Sequence, residues 1–335
     1  MADSVVDIDP DGDVVLVCGS ADKTKRLRVS SKVLSLASPV FKTMLGPDFK
    51  EGKRLSKHGS LNLPLPDDDG EDMTIICNIL HFRHSKLPRQ LDTIKLQDIS
   101  VLADKYSCTM ALGPIVEHWV EELRKDCSDA VRVILICASF RLHLPLMFGE
   151  LGREHILRYN GKCTLVGDRP EQEVLQKLFD AMNVEALNAR GKIAKFVDTM
   201  MVMHCDTDST HGSNCPRALD YVVGFLRTLR RAELWPMHTT SDHTLESLLS
   251  KMRSVNWQQV ELSTRTCGHS SWTDTCFCSS GMSSTNPTLN GIFTSRADKI
   301  VKEIPELCLG CALEGATWKK ADCDHPQGSS SPFGI

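Results

Sequence analysis

The sequence lacks any long apolar run. Its longest dense stretch, Val133–Ala138, is six residues, whereas a bilayer-spanning helix needs roughly 20. The first nine residues are acidic and contain no apolar core of the kind that signal peptides carry. An Asn-x-Ser/Thr acceptor with x other than Pro is also missing. We therefore expect no membrane association and an intracellular location, in the cytoplasm, the nucleus or both.

The sequence also lacks an excess of positive charge and the common catalytic motifs. Its 39 Lys+Arg against 43 Asp+Glu give a net charge of −4, which makes nucleic acid an unfavoured partner. It contains no Gly-x-Ser-x-Gly, no His-Glu-x-x-His and no Gly-x-Gly-x-x-Gly. These absences predict a protein that is not an enzyme and has no small-molecule substrate.

The first 125 residues alternate strand and helix patterns. The apolar run Val14–Cys18 predicts a buried strand, and the alternating Arg26–Val29 predicts its hairpin partner. Leu61, Leu63 and Leu65 alternate as a third strand, and Pro64 and Pro66 suggest a sheet edge or a strand end; several short stretches have helical spacing. This pattern indicates an α+β domain with a small sheet flanked by helices.

Two motifs in this region resemble the BTB/POZ domain. The first motif is Lys32-x-Leu34 followed by Ser38-Pro39-x-Phe41. The second is Leu102–Tyr106, with the sequence Leu-Ala-Asp-Lys-Tyr. The resemblance covers about residues 10–125, and the Gly46–Gly52 run is similar to BTB proteins of filamentous fungi, where a helical and Cys-rich tail often follows.

The resemblance implies a module for protein–protein interaction, which docks a partner or self-associates as a homodimer. In related domains an N-terminal strand and the first helix form the dimer surface, and Val5, Val6 and Ile8 could supply that strand here. An alternative function that the resemblance implies is a substrate adaptor of a cullin-type ubiquitin ligase.

The remaining chain is predicted to be mostly α-helical with a Cys/His-rich end. Apolar stripes at helical spacing between 127 and 255 predict a helical domain. Residues 260–326 form a Cys/His-rich segment that we expect to bind zinc, and 327–335 a flexible tail.

The cysteines divide into two groups. Cys18, Cys77, Cys108 and Cys137 lie in apolar stretches and are expected to pack as small hydrophobic groups. Beyond residue 260, eight zinc-ligand types cluster in pairs: Cys267 and His269, Cys276 and Cys278, Cys308 and Cys311, and Cys323 and His325. Such clustering predicts a structural zinc site.

Cys308-x-x-Cys311 is the strongest half-site, because two thiolates at this spacing can point at one tetrahedral ion. We favour Cys267, Cys276 or Cys278 as the other half, with Cys323 and His325 as alternates. The residues permit one ion or two. A further alternative is an enzyme in which a reactive cysteine pairs with a histidine such as His269 or His325.

Overall fold

The structure is a computed structural model that describes residues 5–20, 24–125, 127–158, 171–205, 218–236, 243–257, 260 and 288–326. Its contacts divide the chain into two compact units. The first comprises Met1–Gly152, Leu307–Ala316 and Lys320–Ile335, and the second comprises Arg153–Glu306 and Thr317–Lys319. Among the helices in the described ranges, none has the length and apolarity to cross a membrane.

A four-stranded sheet forms one layer of the first unit. Its strands are β1 (Val5–Asp7), β2 (Val14–Cys18), β3 (Lys25–Val29) and β4 (Leu61–Leu65), in the order β1-β3-β2-β4. β2 and β3 form the predicted antiparallel hairpin, with Leu16 opposite Leu27. β1 pairs in parallel with β3, and β4 pairs in parallel with β2, which leaves β4 at the predicted edge.

Helices pack around this sheet because alternate strand residues present one apolar face. Leu16 and Leu27 are fully buried on it, and α4 packs against β2 and β3. The helices of this part of the chain are α1 (Ser31–Ala37), α2 (Pro39–Met44), α3 (Lys50–His58), α4 (Gly70–Leu80), α5 (Thr93–Lys105), α6 (Thr109–Arg124), α7 (Asp129–Arg141) and α8 (Pro145–Arg158), with a 3-10 turn at His84–Lys86. The predicted α+β class is confirmed.

One sequence signal, a Gly-Pro dipeptide, misplaces a helix boundary. The dipeptide Gly113-Pro114 suggests a break, but α6 runs through it. The break lies earlier, where Ser107 adopts a φ of 48°. Proline inside a helix forfeits a hydrogen bond, and the burial of Leu112 and Trp119 on the same helix offsets that cost.

The second unit is helical, as the apolar stripes predict. Its helices beyond α8 are α9 (Gln172–Cys205), α10 (Ala218–Arg231), α11 (Leu245–Ser254) and α12 (Leu289–Glu303). Trp257 packs between α10 and α12, with ring centroids 5.1 Å from Phe225 of α10 and 4.9 Å from Phe293 of α12. These aromatic contacts are part of the buried core of the unit.

A short helix, α13 (Leu309–Leu313), follows and belongs to the first unit. A Cβ atom on Gly149 of α8 would lie 3.3 Å from the Leu307 carbonyl oxygen. The segment that begins at Leu307 therefore packs closely against α8 within this unit. The domain boundaries predicted at 125, 127, 255 and 260 stay predictions, and residues 327–335 lie outside the described residues.

Candidate functional site

Four Cys/His side chains converge at α13. Cys308 precedes this helix and Cys311 lies in its first turn, while Cys323 and His325 come from the loop that follows. Their four ligand atoms all lie within 4.8 Å of one another. Cys308 and Cys311 are buried and the other two are half-buried, so the cluster is closed on one side by the helix.

The spacing of these atoms fits a tetrahedral ion. Cys308 Sγ lies 3.5 Å from Cys323 Sγ, and the Nδ1 of His325 lies 3.9, 3.6 and 3.4 Å from the sulfurs of Cys308, Cys311 and Cys323. Zinc bond lengths place two sulfurs of a regular tetrahedron about 3.8 Å apart, and a sulfur and a nitrogen about 3.6 Å apart. The cluster therefore has the donors and the dimensions to hold one metal ion.

The polar surroundings of the cluster orient its ligands. The backbone N–H of Lys320 donates to Cys311 Sγ at 3.5 Å. Glu314 accepts from His325, with Nε2 and Oε1 3.0 Å apart, and its other oxygen lies 2.5 Å from the Lys320 ammonium. This ammonium lowers the pKa of Glu314, so the glutamate is a carboxylate acceptor at neutral pH.

Without metal, two of the four groups hold their protons more tightly than usual. Partial burial is the largest of the effects that raise the pKa of the Cys323 thiol to about 11, and the contact with Cys311 raises the pKa of His325. Since metal ligands must be deprotonated, binding an ion here releases protons.

Gly310 lets the histidine approach. A Cβ atom at this position would lie 2.4 Å from Cγ of the His325 ring, a distance that real side chains do not tolerate. The Cys-x-x-Cys turn therefore needs glycine at its third position for His325 to reach the three sulfurs.

The structure brings together the predicted half-site and the alternate pair. Cys308 and Cys311 meet Cys323 and His325, whereas the favoured partners Cys267, Cys276 and Cys278 lie outside the described residues. Sequence reasoning missed Glu314, Lys320 and Gly310. An acid and a lysine between metal ligands are common on any surface, so the sequence carries no signal for them.

The two motifs of the N-terminal part also meet in space. Ser38, the N-cap of α2, accepts a hydrogen bond from the Phe41 amide at 3.0 Å, and its hydroxyl donates to the Tyr106 carbonyl at 2.5 Å. The Phe41 and Tyr106 rings stack, with centroids 4.4 Å apart. The Tyr106 hydroxyl donates to Asp68, whose other oxygen lies 2.5 Å from the Lys105 ammonium.

Comparison with known protein families matches residues 11–119 to the BTB/POZ domain. This part of the chain is a BTB/POZ domain. The matched region is about a third of the chain and contains the sheet strands β2 to β4 and both motifs. No curated protein and no solved structure matches the chain. BTB/POZ domains mediate protein–protein interactions and dimerisation, and they are not a family of enzymes.

The surface of the BTB/POZ domain carries an exposed apolar side chain on its first helix. Leu36 of α1 is 90% exposed. The strand β1, which contains Val5 and Val6, pairs only with β3 among the described strands, so it is the other edge of the sheet. These two elements are those that the resemblance assigns to a dimer surface.

The cysteines of the BTB/POZ domain are packing residues, as predicted. Cys18, Cys77 and Cys108 are buried. Burial raises the pKa of Cys18 and Cys108 to about 12 and that of Cys77 well above its usual value. Cys137, in α7, is also buried. A protonated thiol is a poor nucleophile.

Alkylation of the native chain with iodoacetamide near neutral pH should therefore sort the thiols. Cys127, which is half-exposed, should react at once, and Cys18, Cys77 and Cys108 should stay unmodified. If the cluster holds zinc, as the sequence leads us to expect, Cys308, Cys311 and Cys323 should react mainly after a chelator is added, because zinc-bound thiolates are protected. Peptide mass spectrometry gives the rates. One of the buried or clustered thiols of Cys18, Cys77, Cys108, Cys308, Cys311 and Cys323 that reacts faster than Cys127 without chelator would instead favour a catalytic cysteine.

Proposed function

We propose that this protein is a non-catalytic protein–protein interaction module. Its BTB/POZ domain self-associates or docks a protein partner. A zinc ion bound by Cys308, Cys311, Cys323 and His325 stabilises the fold of the C-terminal segment. The observation that carries the proposal is the family match over residues 11–119. The alternatives, an adaptor of a cullin-type ubiquitin ligase and a Cys/His-dependent enzyme, have no such direct support.

The donor set supports zinc as the ion. Three thiolates and one imidazole suit a tetrahedral zinc centre better than the oxygen-binding cations magnesium or calcium. Four protein ligands leave no position for a substrate water, so the role is structural. A purified chain with about one zinc per molecule supports this part of the proposal, and a metal-free chain that is equally stable rejects it.

We further propose a similarity to fungal proteins and a cellular location for this protein. The resemblance of the Gly46–Gly52 run supports a protein similar to those of filamentous fungi. We also propose a cytoplasmic or nuclear location, because reduced thiols can serve as metal ligands there.

Self-association is tested with a pair of charge substitutions. We expect the full chain to be a dimer by light scattering at micromolar concentration and Leu36→Glu to be a monomer, because the charge would be buried in the interface. Met110→Glu on α6 is the matched control, since Met110 is 84% exposed in the same domain and lies away from α1 in sequence. It should remain a dimer.

The same variants separate the alternatives. A wild-type chain that is strictly monomeric rejects self-association, and partner docking is then tested by affinity capture of both variants. A partner lost with Leu36→Glu and kept with Met110→Glu supports docking at α1. If a cullin is the captured partner, the adaptor function replaces the module proposed here.

A further inference from the structure

The metal cluster contains a histidine whose two ring nitrogens face different groups. Nδ1 of His325 points at the three sulfurs, 3.4 to 3.9 Å away, and Nε2 lies 3.0 Å from Glu314 Oε1. A neutral imidazole carries one proton, so only one of its nitrogens can bind a metal. Which nitrogen binds is decided by the group that takes the proton.

We propose that Glu314, held by Lys320, is a positioning residue that keeps the His325 proton on Nε2 and so turns the Nδ1 lone pair towards the three cysteine sulfurs. This inference rests on the proposed zinc site and adds residues that do not touch the ion. A carboxylate behind a metal-binding histidine fixes both the tautomer and the ring orientation, and it increases the basicity of the ligand nitrogen.

Lys320 links the carboxylate to the ligands. Its ammonium lies 2.5 Å from Glu314 Oε2, while its backbone N–H donates to Cys311 Sγ. Zinc with three thiolates carries a net charge of about −1, and a bare glutamate beside it would add repulsion. The lysine charge offsets the glutamate charge, so the carboxylate can stand close to an anionic centre.

The backbone leaves His325 little alternative position. The ring lies over Gly310, where a Cβ atom would come within 2.4 Å of it. The histidine is therefore confined between the Cys308–Cys311 turn on one side and Glu314 on the other. Removal of Glu314 leaves the four ligands in place and frees the ring to rotate or to change its tautomer.

The test is a cobalt and zinc titration of the full chain. Cobalt(II) reports the number of thiolate ligands through its visible spectrum, and competition with a chelator gives the zinc affinity. We expect Glu314→Ala to bind zinc about 10- to 100-fold more weakly than wild type, with an unchanged three-sulfur cobalt spectrum once saturated. Glu314→Gln retains an oxygen acceptor, so its zinc affinity should lie between those of wild type and Glu314→Ala.

Glu306→Ala is the matched control. Glu306 forms a similar pair with Lys319, at 2.9 Å, but it makes no hydrogen bond to the four ligands. Its zinc affinity should equal that of wild type. If wild type binds zinc and Glu314→Ala binds it equally well, the positioning role is overturned and the zinc site stands. If wild type binds neither metal, the proposed zinc site fails and this inference fails with it.

Discussion

Replacing Cys308 and Cys311 with serine should abolish zinc binding and unfold the segment around α13. These are two of the four converging ligands, and two remaining ligands cannot hold a tetrahedral ion tightly. Structural zinc contributes about 10–16 kcal/mol in zinc-finger peptides. Residues 307–326 bury only two large apolar side chains that could replace it, Leu307 and Leu309.

Elemental analysis and hydrogen exchange measure the two effects. The double variant should be free of zinc, and its peptides from 307 to 326 should exchange much faster than those of wild type. Cys127→Ser with Cys205→Ser is the control, because both thiols are half-exposed and lie outside the cluster. It should retain zinc and native exchange.

A third double variant identifies the other half of the site. Cys323→Ser with His325→Ala should also lose zinc, because these two side chains complete the cluster. Zinc retained in this variant but lost in Cys308→Ser with Cys311→Ser would assign the other half to Cys267, Cys276 or Cys278. Zinc retained in all variants would contradict the site.

The metal also bears on the BTB/POZ domain, because α13 and that domain lie in one compact unit. The sequence suggests that zinc stabilises a separate segment from 260 to 326. The Leu307 carbonyl, next to the cluster, lies close to Gly149 of α8 in the same unit. We therefore expect zinc loss to increase exchange in α8 as well as in α13.

The sheet could be predicted from the sequence because its signals are local. Apolar residues alternate along β3 and β4, and the run Val14–Cys18 marks the central strand. The helix α3 was missed for a physical reason. Among its residues only Gly52 is buried, so no apolar stripe marks it.

Only one half of the metal site, Cys308 and Cys311, could be predicted from the sequence. Two cysteines separated by two residues on one turn lie close together regardless of the path of the rest of the chain. The closing pair depends on the path of the loop from α13 to Cys323, and the sequence offers three Cys/His pairs with equal spacing. The contacts of Glu314 and Lys320 with the cluster depend on the same loop path.

The substitution Phe41→Ala should destabilise the BTB/POZ domain by about 3–5 kcal/mol, the usual cost of removing a buried phenylalanine. Phe41 is 1% exposed and stacks on Tyr106 at 4.4 Å. It thus joins the two motifs on which the resemblance rests. Since domains of this size are stable by about 5–15 kcal/mol, the loss removes a large part of the total and should also abolish partner binding.

Phe82→Ala is the matched control for this prediction, because Phe82 belongs to the same domain and is 81% exposed. Its removal should cost little, since surface substitutions change stability by less than about 0.5 kcal/mol. Hydrogen exchange of peptides from β2 and β4, measured in increasing urea on the full chain, reports this domain without the helical unit. The Phe41→Ala midpoint should fall well below those of wild type and Phe82→Ala. Equal midpoints for the two variants would mean that the Phe41–Tyr106 stack does not hold the two motifs together.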